Sequence, residues 1–319
     1  MPTETVYGLA AQLGSARAVA RVFAAKDRPL FDPLIAHVAT TDPGDAVASL
    51  VDWTAVDPAA RAAFEVLTEA LWPGPLTVVL PRSAAVPDLA TGGLSTVGIR
   101  MPAHPVAQAL LDAFGGPLVA PSANRFGRVS PTTAQAVQAE LSGRVSLVLD
   151  GGPCAIGVES TVVAPTRQGV RLLRPGGVTA EQLETLVGPL LAPGGLQRAS
   201  PGHDSSHYAP RTPLTVLSGP ISAADPRALR MLAGADPVAV LRVLGPEAPA
   251  RKALAGADLV AVRSLSETGD LAEAARHLFA TLRALDDSGA ARILVEPCPT
   301  EAGLGHAIAD RLRRAARSG

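Results

Sequence analysis

Short apolar runs bounded by Pro, Gly or Asp alternate with amphipathic stretches along most of this chain, and that alternation limits the folds open to it. Leu34–Val38, Leu76–Leu80, Val97–Met101, Leu118–Ala120, Leu147–Asp150 and Thr161–Ala164 have the length and flanking residues of buried strands. Between them Ala16–Ala25, Ala59–Leu71, Pro105–Phe114 and Thr132–Leu141 carry apolar residues at three- and four-residue spacing, with Pro105 and Pro131 near helix starts. Strands interleaved with helices build an α/β domain, in which helices cover the faces of a sheet.

The 319 residues exceed one comfortable core, and at ~100–200 residues per domain a two-domain organisation is expected. From Gly188 to Pro213 the pattern gives way to Pro, Gly and Ser, the composition of a linker. Beyond it, strand-like Leu214–Leu217, Val238–Leu241, Leu259–Val262 and Ile293–Val295 alternate with helix-like Arg227–Ala233, Leu271–Leu285 and Ala307–Ala316. The expected division is residues 1–188, a linker or lid at 189–213, and a smaller α/β domain at 214–319. No fixed-period repeat runs through either part.

Hydrophobic residues make up 47% of the chain, which excludes disorder as a whole. Lys and Arg number 28 against 29 Asp and Glu, a net charge of −1, so no global basic field draws in nucleic acid. Cys154 and Cys298 lie far apart and fit no metal or redox spacing. No run approaches the ~20 apolar residues of a membrane span. A soluble, cytoplasmic protein is expected.

Three segments carry chemistry. Pro2-Thr3-Glu4-Thr5-Val6-Tyr7-Gly8 is a hydroxyl-rich turn, Lys26 and Arg28 are closely spaced cations, and Ser122 and Asn124 sit in a loop after a strand. Together they provide what a nucleoside triphosphate needs without a Walker loop. A guanidinium forks onto phosphate oxygens and an ammonium supplies a point charge. Taken alone, Lys-x-Arg reads more simply as a solvated helix terminus. Ser130, followed by Pro131, reads singly as an N-cap and in context as a phosphate or magnesium contact. Arg174 is a further phosphate candidate, with a surface pair to Glu159 as the plain alternative.

The six histidines and the acidic residues show no metal-cage spacing, so no protein-only metal site is expected, and magnesium is expected to arrive on the phosphates. Neither a Gly-x-Ser-x-Gly elbow nor a P-loop is present. Gly303-Leu304-Gly305 begins like a dinucleotide fingerprint but has Ile308 in the third glycine's place.

The segments PTETVYGLAA, AKDRPLFDPLIAH, WPGPLT, TVGIRMPAHP, APSANRFGRVSPTTA, LDGG, GVESTVV, RPGGVT and SPG followed by HYAP, in this order, closely resemble the two-domain YrdC-type threonylcarbamoyl-AMP synthases over nearly the whole chain. The resemblance implies a YrdC-like twisted mixed sheet with helices and a concave ligand cavity, followed by a smaller Rossmann-like domain. It implies a nucleotidyltransferase that condenses L-threonine, bicarbonate or CO2, and ATP into threonylcarbamoyl-adenylate, releasing pyrophosphate. A downstream transferase complex then uses the product for N6-threonylcarbamoyladenosine beside the tRNA anticodon.

By position, the resemblance assigns Thr5, His37, Arg100, Ala120 and Ser160 to an L-threonine pocket. It assigns Arg28, Asp32, Thr96, Ser122, Asn124, Ser130, Arg174 and Tyr208 to ATP. Lys26, Arg28 and Arg174, with magnesium, stabilise charge as a carbamate oxygen attacks the α-phosphorus. Tyr208 is expected to close over the nucleotide as a lid.

Three features depart from the family pattern. The chain begins at the first motif, where relatives carry a preceding helix and strand, so its first sheet is expected to lack a member. Asp32 stands where Asn is usual and brings a negative charge toward the phosphates. Asp204, Ser205 and Ser206 occupy the stretch His203–Ser206, where basic and aromatic residues are common. A competing reading is a tRNA or double-stranded RNA binding module without synthase activity, whose local basic track is limited to Arg311, Arg313, Arg314 and Arg317. A solvated helix face accounts for those better, so weak or no direct nucleic-acid binding is expected. Carbamoyl transfer, as in hydrogenase maturation factors, lacks its acylphosphatase and zinc-finger segments here.

Overall fold

The computed structural model describes residues 1–41, 43–192, 194, 199, 207–223, 226–299 and 302–316. The chain divides into two compact units, Met1–Phe126 with Pro131–His203, and Gly127–Ser130 with Asp204–Gly319.

In the first unit the strands are β1 (Ala11–Gln12), β2 (Ile35–His37), β3 (Leu76–Pro81), β4 (Thr96–Arg100), β5 (Leu118–Val119), β6 (Thr161–Thr166) and β7 (Gly169–Arg174). They form one mixed sheet in the order β1-β5-β2-β4-β3-β6-β7. Its helices are α1 (Ala16–Lys26), α2 (Pro43–Leu50), α3 (Pro58–Leu71), α4 (Asp88–Thr91), α5 (Pro105–Phe114), α6 (Ala134–Leu141) and α7 (Ala180–Val187). The centre of the sheet is apolar because β3 and β6 are buried on both faces. Val19, Phe23, Phe64 and Leu67 from α1 and α3 close the core over them. Asp57 caps α3 ahead of Pro58, and His104 Nδ1 caps α5 ahead of Pro105.

Two expectations are corrected. Leu147–Asp150 is not a strand: Asp150 Oδ1 accepts from the Tyr7 hydroxyl (3.2 Å) and the Gly152 N–H (2.9 Å), and Leu147 is 73% exposed. A carboxylate-centred turn there takes the place of a ladder. Ser130 is not an N-cap. The cap of α6 is Thr133, whose Oγ1 accepts from Ala136 N at 3.2 Å.

The second unit holds β8 (Leu214–Val216), α8 (Pro226–Ala233), β9 (Val238–Leu244), α9 (Ala248–Ala253), β10 (Leu259–Ser266), α10 (Leu271–Asp286), β11 (Arg292–Val295) and α11 (Gly305–Ala316). Every strand pair in it is parallel, in the order β10-β9-β11-β8. This is the Rossmann-like arrangement the alternation implies.

Candidate functional site

A single row of residues crosses the first sheet. Leu118 of β5 pairs with His37 of β2, His37 with Arg100 of β4, Arg100 with Thr77 of β3, Thr77 with Val162 of β6, and Val162 with Arg174 of β7. Register partners share a face, so His37, Thr77 and Arg100 lie side by side. They are 2%, 0% and 4% exposed.

Arg100 is held from three directions. Its Nη1 donates to Thr5 Oγ1 (2.9 Å), its Nη2 to Glu4 Oε1 (2.5 Å), and its Nε to the Gly74 carbonyl (3.3 Å). Glu4 Oε2 accepts from Ala103 N (3.2 Å). Thr5 is fixed in turn by Thr3, whose Oγ1 lies 2.9 Å from Thr5 Oγ1 and accepts from the Thr5 and Val6 N–H groups. The opening motif is thus a side-chain turn wrapped on one guanidinium. Within that motif the sequence alone assigns Glu4 no role, and the buried ion pair supplies one.

His37 Nδ1 is 3.1 Å from the Ile35 carbonyl. A carbonyl only accepts, so Nδ1 carries the proton and Nε2 presents a lone pair. Burial, and then the Arg100 charge, push the imidazole down to about 3, so it is neutral at physiological pH.

The opening turn also lies along the loop after β5. Gly8 bridges Ser122, Leu9 N donates to the Pro121 carbonyl (2.7 Å), and Ala123 N to the Tyr7 carbonyl (2.8 Å). A Cβ on Gly8 would meet Ala120 Cβ at 3.0 Å, so the close approach requires glycine. Ala120 N donates to the Ile35 carbonyl (3.2 Å), which sets Ala120 at the end of β2.

Lys26 ends α1, where Asp27 caps in the left-handed region at φ 53°. Its ammonium is buried and donates to the Ser122 and Asn124 carbonyls. Burial, reinforced by Arg28, lowers its pKa well below the ordinary lysine value, while Asp32 and Glu140 act in the opposite direction. The solvated helix terminus is therefore excluded. Lys26 fastens the Ser122–Asn124 loop to α1.

Arg28, also buried, pairs with Asp32 Oδ2 (2.8 Å) and donates to the Pro33 carbonyl (3.0 Å). Arg174 donates through Nε and Nη2 to the Ser160 carbonyl (3.2 and 2.9 Å) and through Nη2 to Ser160 Oγ (3.2 Å). Arg174 and Glu159 are 5% and 6% exposed, so neither belongs to a surface pair. Gly176 lies against the same segment, and a Cβ there would stand 2.4 Å from the Ser160 carbonyl carbon. Ser160 Oγ is 2.8 Å from Thr77 Oγ1. Thr77 closes the WPGPLT segment, and nothing in the sequence of that segment signals this contact.

Thr96 starts β4 on the face shared by Arg100, four residues away, or roughly 13 Å along the strand. Ser130 and Tyr208 belong to the second unit. Tyr208 is 3% exposed at φ 66°, stacked on Phe279 of α10 (5.5 Å, 28°), with the Arg311 guanidinium 5.4 Å from the ring centre. Arg311 is fully buried and Arg314 is ion-paired to Asp310, so the solvated-face reading is corrected for both. Arg317 and the His203–Ser206 segment, with Asp204, Ser205 and Ser206, lie outside the described residues. Among the described residues no helix is long and apolar enough to cross a membrane, and no group of three or more His, Cys, Asp or Glu is placed to hold a metal ion.

Residues 1–176 match the Sua5, YciO and YrdC family model, described as telomere recombination. Residues 178–317 match the model described as threonylcarbamoyl-AMP synthase, C-terminal domain. The threonylcarbamoyl-AMP synthase of Pyrococcus abyssi is 37% identical over 321 residues, covering 98% of this chain and 88% of the relative. That of Bacillus subtilis is 39% identical over 321 residues, covering 99% and 88%. The crystal structure of P. abyssi Sua5 complexed with L-threonine superposes with a TM-score of 0.83 at 38% identity, covering 99% of this chain and 89% of that one.

Proposed function

This chain belongs to the threonylcarbamoyl-AMP synthase family, and from that membership we propose how its residues divide the work. The enzyme is a nucleotidyltransferase that makes threonylcarbamoyl-adenylate for the tRNA modification. The amino acid is L-threonine, which is bound in the P. abyssi relative, and ATP supplies the adenylate. Bicarbonate or CO2 supplies the carbamoyl carbon, and a threonylcarbamoyl transferase complex takes the product downstream.

The observation that carries this reading is the cross-sheet row. Arg100 offers only donors and suits the threonine carboxylate. His37 Nε2 offers a lone pair to the amine or the side-chain hydroxyl. Thr5, the Ala120 backbone and Ser160 complete the pocket. A neutral amine adds to CO2 and loses a proton, giving a carbamate. A carbamate oxygen then attacks the α-phosphorus in line, forming the new P–O bond as the bond to pyrophosphate breaks. No protein nucleophile takes part, so positioning and charge stabilisation are the catalytic devices.

Arg28 and Arg174 supply the phosphate-side charge, with Thr96, Ser122 and Asn124 as further nucleotide contacts, while Asp32 acts through its pair with Arg28. Lys26 acts by fixing the Ser122–Asn124 loop, since its ammonium is engaged by that loop's carbonyls. Magnesium carried by the triphosphate would neutralise part of the phosphate charge, leaving Arg28 and Arg174 to supply the protein's share. Incubation with ATP, magnesium, bicarbonate and L-threonine, followed by mass spectrometry, tests the reading. The adenylate and pyrophosphate should appear only when all four are present.

A further inference from the structure

Thr77 Oγ1 is fully buried, and its one hydrogen-bond partner among the described residues is Ser160 Oγ at 2.8 Å. Its rotamer is set on two sides. The hydroxyl meets Ser160, and the methyl leans over Gly98, where an added Cβ would stand 3.2 Å from Thr77 Cγ2. If Ser160 were the donor of this pair, the Thr77 proton would be buried with no acceptor, which is the costly arrangement. With Ser160 read as an L-threonine contact, its own proton has an acceptor in the bound amino acid and the Thr77 proton has none but Ser160, so Thr77 is the donor in the bound state. Ser160 Oγ also accepts from Arg174 Nη2 at 3.2 Å. A serine hydroxyl has two lone pairs and one proton, so both lone pairs are engaged and only the proton remains for a ligand.

We propose that Thr77 is a positioning residue of the amino-acid pocket: by donating to Ser160 it commits Ser160 to donate its own proton to an anionic oxygen of the substrate. This rests on the reading of Ser160 as an L-threonine contact. The oxygen is that of the threonine carboxylate or of the carbamate formed from its amine, which share the same chemistry. Ser160 then joins Arg100 and Arg174 as a donor, and the pocket selects an acceptor along that wall.

The test compares wild type, Thr77→Val, Thr77→Ser, Ser160→Ala and the Thr77→Val/Ser160→Ala double variant, by calorimetric titration with L-threonine and by steady-state kinetics. Thr77→Val should weaken L-threonine binding ~10-fold if the carboxylate is the target, or lower kcat ~10-fold at unchanged threonine affinity if the carbamate is. In either case Thr77→Ser retains near-wild-type values. The Thr77→Val effect should also vanish when Ser160 is already Ala, because the two act as one unit. Equal defects in the Val and Ser variants, additive effects in the double variant, or a folded Thr77→Val protein with wild-type binding and kcat would overturn the proposal. Wild-type protein that neither binds L-threonine nor forms the adenylate would instead overturn the synthase reading on which it rests.

Discussion

His37 and Arg100 are register partners on the adjacent parallel strands β2 and β4, so a neutral imidazole and a guanidinium lie side by side on one face of the sheet. The pairing gives the pocket an acceptor next to a cluster of donors, the pattern that an amino acid's carboxylate and amine call for. It also ties the histidine's protonation to its neighbour, because burial first and Arg100 second disfavour imidazolium.

That coupling sets an acid limb to stability. The folded His37 pKa of about 3 lies below its ordinary value of 6.5, so the unfolded chain takes up the proton first. The contribution is complete above the unfolded pKa and is lost as pH falls toward the folded one. His37→Asn should flatten the loss of stability on acidification, by up to about 1.4 kcal/mol per pH unit across that window. Urea unfolding of both proteins in a pH series from neutrality downward measures the difference.

Removing either Arg100 or Glu4 breaks the buried pair and costs stability, but Arg100 alone is assigned to the substrate, so kinetics distinguish the two variants. Arg100→Met removes the carboxylate clamp and is expected to raise the KM for L-threonine roughly 30-fold or more, a cost of about 2 kcal/mol or above. The KM for ATP should change little. Glu4→Ala leaves the guanidinium buried beside Thr5 and is expected to cost about 3–5 kcal/mol of stability. Paired kinetics and denaturant titrations read the two effects.

Lys26→Met should act on the nucleotide side through the loop. Two carbonyls, those of Ser122 and Asn124, lose a charged donor. Hydrogen bonds to charged groups are worth about 1.5–3 kcal/mol each, so the ATP KM is expected to rise at least tenfold. The L-threonine dissociation constant should stay within about threefold. Separate titrations with each ligand check this.

Asp32→Asn should strengthen nucleotide binding. Asp32 occupies Arg28 at 2.8 Å in a buried pair, so an incoming phosphate competes with a carboxylate for the same guanidinium. Without that carboxylate the dissociation constant for ATP is expected to fall about three- to tenfold. The gain should be largest at low magnesium, where the phosphate charge is least neutralised. A weaker affinity in the variant would instead make Asp32 part of the binding set for the magnesium-bound nucleotide.

Much of this site was legible in the sequence because its elements are local: a hydroxyl turn, a cation pair, and loops punctuated by Pro and Gly. What sequence could not supply were partners distant along the chain. Lys26 looked like a phosphate ligand, but its acceptors are backbone carbonyls 96 and 98 residues away, which no side-chain pattern announces. Thr77 read as one more residue of a buried strand until pairing placed it between Arg100 and Val162. Arg311 sat in a basic run whose charge suggested solvent, whereas the fold buries it over Tyr208. Leu147–Asp150 had the composition of a strand but is organised by Asp150's own side chain.

The most direct test of the central claim is a product measurement with isotopic bicarbonate. Purified protein given ATP, magnesium, L-threonine and 13C-bicarbonate should release pyrophosphate and form threonylcarbamoyl-adenylate carrying one labelled carbon, with Arg100→Met severely impaired at the same L-threonine concentration. Pyrophosphate release that is indifferent to threonine and bicarbonate, or an adenylate without the label, would contradict the account.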